Sequence, residues 1–127
     1  MLAFGLGSGR RALLEPVRRA GLELPALVHP GAHVAPSARI APGAHVMAGT
    51  VVGGDCVVGE AALVNAGAIL EHDVHVGAGA TIGPGAVLAG RARVGAEAHV
   101  GANATVVPDG VVAERASIGP GEVVSGG

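Results

Sequence analysis

Every sixth residue from Val28 to Val124 is Val, Ile or Leu, seventeen positions in a row with no insertion. Two places before most of these sits a small residue, alanine in eleven cases, with Thr50, Cys56 and Val74 as variants. A period of six matches neither the 3.6-residue repeat of a helix nor the two-residue alternation of a lone strand. Short strands turning at fixed intervals do produce it. The large aliphatic and the small residue both point inward, and the glycines and prolines between them supply the turns. The elements predicted are brief parallel strands wound into an all-β solenoid. The stride sets the length of one flat side. It leaves open the number of sides per coil and the hand, for which the usual crossover rule favours a right-handed sense.

The rule breaks late, at Gly110 and Glu122. Glu122 falls on an inward small position, where a lone carboxylate is costly to bury, so an open or frayed last coil is expected. Residues 1–27 follow a different pattern and form a separate segment from the solenoid at 28–127. "AFGLG" reads as a short strand. "RRALLEPVRRAG" reads as a helix of about two to three turns that carries Pro16, ends at Gly21 and caps the bare end of the solenoid. "GLGSG" lacks the GxGxxG spacing, the second strand and the acidic residue of a dinucleotide loop, and reads as a plain tight turn.

Composition narrows the chemistry. With one Phe and no Trp or Tyr, the core must be built from aliphatic side chains. All eight basic residues are arginines and the formal net charge is -2. Neither a basic field nor interleaved aromatics are there to bind nucleic acid. A single cysteine, Cys56, excludes an internal disulfide and a CxxC metal pair, as in a reducing compartment. The first residues run apolar then basic, the reverse of a secretory signal, and no apolar run approaches the ~18 residues of a membrane helix. The expectation is a soluble, cytoplasmic protein that binds no membrane.

Against this plain background "NAGAILEHDVHVG" places Glu71, His72 and Asp73 side by side. They lie between the inward positions Leu70 and Val74, so they occupy an outward corner where other coils read "GPG", "GAG", "GAE" or "APS".

The period, with "HPGAHVAPSARIAPGAHVMAG", "NAGAILEHD" and "GPGAVLAG", resembles the hexapeptide-repeat acyltransferases, in the sialic-acid O-acetyltransferase and sugar-nucleotide N-acetyltransferase branch. The likeness runs from about residue 3 to 120. It implies a single-stranded left-handed parallel β-helix with three sides per coil, a homotrimer, and acetyl-CoA bound as co-substrate between subunits. Members also have a complete N-terminal nucleotide-binding domain and a tail closing on "GVPA"-like residues. On that comparison the chain reads as truncated at both ends, with 1–27 a remnant of the α/β domain or a cap. The implied chemistry is acetyl transfer to an amino or hydroxyl group of a sugar or nucleotide sugar.

Three sides of six residues put positions eighteen apart above one another, so Gly90 lies over His72. A histidine titrates near neutrality and can take a proton from an attacking amine or hydroxyl, and an adjacent carboxylate raises its basicity and fixes its tautomer. A glycine N–H overhead can approach a developing oxyanion. The resemblance assigns His72 as general base, Asp73 as its enhancer, Gly90 as oxyanion donor and Asn65 as an acceptor contact. It puts Thr81, Gly90 and Ala102 against acetyl-CoA, Thr81 standing where the family usually has a second histidine.

Blander readings compete. Three charged residues at a turn are often only a soluble surface, and Glu71 is read so. Cys56 falls on an inward position and is read as a core filler, which leaves direct attack on acetyl-CoA without an acyl-enzyme. Metal binding by His29, His33, His45, His75 and His99 is not expected. Sites of the zinc hydratases of this solenoid class resemble a histidine pair separated by four residues with a third about two coils away, whereas the close pairs here are 29/33 and 72/75. The outward column at 33, 51, 69, 87, 105 and 123 is mostly apolar, which marks it as a subunit interface. The main alternative to an enzyme is a non-catalytic trimeric scaffold.

Overall fold

A computed structural model describes residues 9–125. The strand expected at "AFGLG" and the turn expected at "GLGSG" lie outside them, apart from Gly9. One helix, α1 (Gly9–Arg19), precedes two-residue strands that recur every six residues from β1 (Leu27–Val28) to β17 (Val123–Val124). The second residue of every strand is one of the periodic aliphatics.

The strands stack in three parallel sheets. The first side carries the strands beginning at Leu27, His45, Leu63, Thr81, His99 and Ser117. The second begins them at His33, Val51, Ile69, Val87, Thr105 and Val123, and the third at Arg39, Val57, His75, Arg93 and Val111. Register is eighteen residues throughout, as in Ile69 over Val51 and Val87 over Ile69. This three-sided stack is the all-β solenoid read from the stride. It agrees with the left-handed parallel β-helix that the resemblance implies.

Backbone chemistry explains the corner residues. Counting from the strand, the first corner residue bonds to the coil above, as Glu71 N–H does to Leu88 at 2.9 Å. The third bonds to the coil below, and the fourth closes the turn on the first, as Ala68 N–H does on Asn65 at 3.2 Å. The N–H of the second has no such partner, and Pro30, Pro36, Pro42, Pro84, Pro108 and Pro120 all stand there. From Gly43 onward the third takes positive φ, +71° at Gly49 and +58° at Asn103. Proline followed by positive φ is the signature of a type II turn.

Inside the prism, large and small columns alternate with no exposed surface at Ala44, Cys56, Val58, Ala68, Leu70, Ile82 and Leu88. Glu122 does not enter the core. At the open end its carboxylate turns out and accepts from Gly119 N–H at 2.9 Å. The ladder continues past it, with Val123 paired to Thr105 and Val124 to Val106. The last coil is therefore in register through Val124, which corrects the expected fraying.

Helix α1 also departs from expectation. It does not lie across the bare end, where Val28 remains 44% exposed. It runs along the flank of the first side. Buried Arg10 reaches the carbonyls of Ala61, Gly79 and Ala80 at 2.8, 3.2 and 3.1 Å, and Arg18 pairs with Glu60 at 2.7 Å. Pro16 sits inside the helix, and Gly21, at φ +77°, ends it. The paired bonds Leu22 N–H to Val17 and Gly21 N–H to Arg18 form a Schellman cap. No helix among the described residues is long and apolar enough to cross a membrane.

Truncation of a central core side chain should cost far more than truncation on the wall. Ile82→Ala is expected to lose about 2–5 kcal/mol and Val111→Ala no more than about 0.5 kcal/mol, compared by chemical denaturation.

Candidate functional site

Glu71, His72 and Asp73 form the corner between the second and third sides, all three exposed. The His72 and Asp73 side chains are 56% and 53% accessible, so the ring faces solvent and not the core. His72 Nδ1 lies 3.0 Å from Asp73 Oδ2. With the carboxylate ionised, Nδ1 carries the proton in that bond, and Nε2 is the nitrogen left to accept one.

Gly90 is directly above. A Cβ built on it would fall 2.5 Å from His72 Nε2 and 2.8 Å from Cε1, so the ring occupies the space a side chain would take. Among the described residues the Gly90 N–H has no hydrogen-bond partner, as its place second in the corner dictates. A proton acceptor and a free amide donor therefore meet at one solvent-facing point.

A charged column extends upward from Asp73. Arg91 and Asp109 follow it at eighteen-residue steps, each third in its corner with positive φ. Arg91 grips Asp109 with two bonds, Nε to Oδ1 at 2.7 Å and Nη2 to Oδ2 at 3.0 Å. That bond to the guanidinium holds the Asp109 carboxyl below its ordinary range, with the charges of Arg91 and His72 adding to it. Asp73, His75, Arg91, Arg93, Asp109 and Val111 line an open groove of about 550 Å³ beside the corner. The sequence reading missed this ion pair, and the eighteen-residue spacing from Asp73 was the signal that marked it.

The other candidates lie elsewhere on the protomer. Asn65 and Ala102 are at the corner between the first and second sides, Asn65 one side away from His72 in the same coil. Asn65 Oδ1 accepts from Ala66 N–H at 2.8 Å. Thr81 is on the first side, beneath α1. It is 2% exposed, and its hydroxyl accepts from Arg10 at 2.9 Å. Thr81, expected against acetyl-CoA, thus has its hydroxyl covered by Arg10.

His45 is also near α1, and burial, then the charge of Arg10, holds its ring below the ordinary histidine range. No group of three or more His, Cys, Asp or Glu among the described residues converges to hold a metal ion.

The sequence profile of the bacterial transferase hexapeptide family, six repeats long, matches residues 55–90, the span holding both the corner and Gly90. Over that span the chain carries the hexapeptide repeat of this family.

Solved structures of this fold agree. GDP-perosamine N-acetyltransferase (PerB) from Caulobacter crescentus, in complex with CoA and GDP-perosamine, is 36% identical with a TM-score of 0.95. The match covers 98% of this chain and 60% of that one. The acetyltransferase domain of PglB from Neisseria gonorrhoeae is 37% identical with a TM-score of 0.90, over 92% of this chain and 57% of that one. A structure of that domain with acetyl coenzyme A matches at 32% identity and a TM-score of 0.70, over 94% of this chain and 65% of that one. The chain spans about 60% of the length of the perosamine enzyme it matches. Among curated protein sequences none matches.

Within this hexapeptide-repeat fold the close approach at Gly90 is open to test. Gly90→Ala should fold, because the obstructing atoms belong to a mobile side chain, yet displace the ring. A crystal structure of the variant is expected to show His72 swung away from residue 90 and its bond to Asp73 lengthened or lost.

Proposed function

We propose that this chain transfers acetyl from acetyl-CoA to an amino or hydroxyl group of a sugar or nucleotide sugar. The observation that carries the reading is the corner itself: His72 braced by Asp73, with the unpartnered Gly90 amide beside Nε2. The similar structure from Caulobacter crescentus favours an amino acceptor, since it is a GDP-perosamine N-acetyltransferase with CoA and GDP-perosamine bound.

In this reading the acceptor nitrogen attacks the thioester carbonyl carbon directly. His72 Nε2 takes the proton the nitrogen sheds, and Asp73 stabilises the resulting imidazolium. Gly90 N–H donates to the oxyanion of the tetrahedral intermediate. Collapse of that intermediate breaks the C–S bond, and the proton leaves with CoA as its thiol. Cys56 is buried, so no acyl-enzyme is involved.

Asn65 and Ala102 contribute through assembly. In a homotrimer packed through the second side, the corner carrying them approaches the His72 corner of a neighbour, and acetyl-CoA lies between the two. Support for that side as the interface is the exposure of Val51, Ile69 and Val123 at 39%, 38% and 65%. The competing reading, a non-catalytic trimeric scaffold, draws on the covered Thr81 hydroxyl.

Two measurements decide. Thiol release from acetyl-CoA, followed over a panel of amino sugars and their nucleotide derivatives, should fall about 10²–10⁴-fold in His72→Ala. No release by the wild type across the panel favours the scaffold, and release that survives the substitution removes His72 from its role. Sedimentation should show a trimer for the wild type and a smaller species for Ile69→Arg. A folded wild-type monomer at micromolar concentration overturns the proposed interface.

A further inference from the structure

The corner that carries His72 is built unlike the others. At the other corners from residue 29 to 122 the fourth residue's N–H closes the turn on the first residue's carbonyl. Among the described residues the Val74 N–H to Glu71 bond is the one missing from that series, and residues 72–73 form a bend where the rest form hydrogen-bonded turns. The ladder bonds around it survive: Glu71 N–H to Leu88 at 2.9 Å, Asp73 N–H to Gly54 at 3.0 Å, and Arg91 N–H to the His72 carbonyl at 2.9 Å. Only the closing bond has been given up.

The Glu71 carbonyl explains why. At Gly59, Gly77 and Gly83, which hold the same corner position as Gly53, an added Cβ would meet the second corner residue's nitrogen in the coil above, at 2.7, 2.5 and 2.7 Å. At Gly53 it would coincide with the Glu71 carbonyl oxygen. The peptide joining Glu71 to His72 is thus turned over, its oxygen pointing down into a space that only glycine leaves. Cys56, in the coil below, meets the broken turn: its Sγ donates to the Glu71 carbonyl at 3.5 Å.

Thr50 provides the contrast. It holds the same inward position one side earlier, and its hydroxyl donates to the Asn65 carbonyl at 3.1 Å, yet that turn keeps its closing bond. A polar group in the small column is therefore not enough to open a corner. The vacancy at Gly53 and the thiol at Cys56 act together.

We infer that Gly53 and Cys56 are positioning residues, which hold the peptide before His72 turned over and so set where the imidazole stands against Gly90. This inference rests on the acetyl-transfer reading for its consequence, but not for its geometry. Burial, the largest influence on the Cys56 thiol, pushes it above its ordinary range and keeps it protonated as a donor. Alanine at 56, the usual residue of that column, supplies no donor. The turn is then free to close in the ordinary way, rotating the peptide that leads into His72.

The experiment compares Cys56→Ala, Cys56→Ser and Gly53→Ala with a control, Gly59→Ala, at the same position of a corner remote from His72. Each is assayed for thiol release and for the His72 ring signal in carbon–proton correlation spectra, assigned with His72→Ala. Cys56→Ala and Gly53→Ala are expected to lower kcat about tenfold to a hundredfold, with KM for acetyl-CoA changed less than about twofold, because misplacing a reacting group costs rate rather than affinity. Their His72 signal should shift. Cys56→Ser keeps a donor in place and should retain the wild-type signal and most of kcat. Gly59→Ala should leave the signal unmoved whatever it costs in stability.

Folded Cys56→Ala and Gly53→Ala proteins with wild-type kcat and an unmoved His72 signal would overturn the inference. If Cys56→Ala does not fold, Cys56→Ser decides, a shifted signal there counting against it. If the wild type releases no thiol with any acceptor, the acetyl-transfer reading falls, and the spectra alone still judge the corner.

Discussion

The unbroken six-residue stride governs everything else in this molecule. Among the described residues no strand exceeds two residues, so none can hold its shape without the coil above and the coil below. Each coil supplies hydrogen bonds in both directions and one layer of aliphatic core. Stability in such a stack is a sum of neighbour terms, and a single inserted residue would slide every later side chain off its column. The meeting of His72 with Gly90 is a direct product of that register, since the two groups come from different coils and share no local contact in the chain.

On a wall this regular, function shows as departures from the rule. Gly90 leaves room above for an imidazole, and Gly53 leaves room below for a carbonyl oxygen. Between these two vacancies the corner at 71–73 carries three ionisable side chains, where the corners stacked with it carry one or none. The column through it reads Asp55, Asp73, Arg91 and Asp109 at eighteen-residue steps, so the carboxylate beside the histidine has a carboxylate below it and a guanidinium above. The exposed Arg91–Asp109 pair itself adds little to stability, as is usual for ion pairs in water. Its contribution is to the electrostatic surroundings of the ring.

Much of this was legible in the sequence because the solenoid repeats one local rule. The inward aliphatics fixed each strand, and the eighteen-residue step from His72 to Gly90 located both partners of the site. What escaped were interactions between parts that obey different rules. Nothing in the repeat announces that Arg10, from a helix outside it, would cover the Thr81 hydroxyl. The helix was expected across the open end because its docking face depends on the flank and not on its own periodicity. Glu122 was read by column alone, although an end coil lets a carboxylate turn outward. Cys56 was read as filler by the same logic. Its burial was correct, and its bond to Glu71 was betrayed only by its being one of two hydrogen-bond donors, with Thr50, in a column of alanines.

The docking of α1 has a mechanical consequence. Arg10 fastens the start of the helix to the coils at 61 and 79–81, whereas the chain itself enters the solenoid at Leu27. A pull on the backbone at Gly9 is therefore delivered to the middle of the prism before it can reach the first coil. Those opening coils, whose outer edge is bare, are shielded from peeling by a clasp fixed well above them.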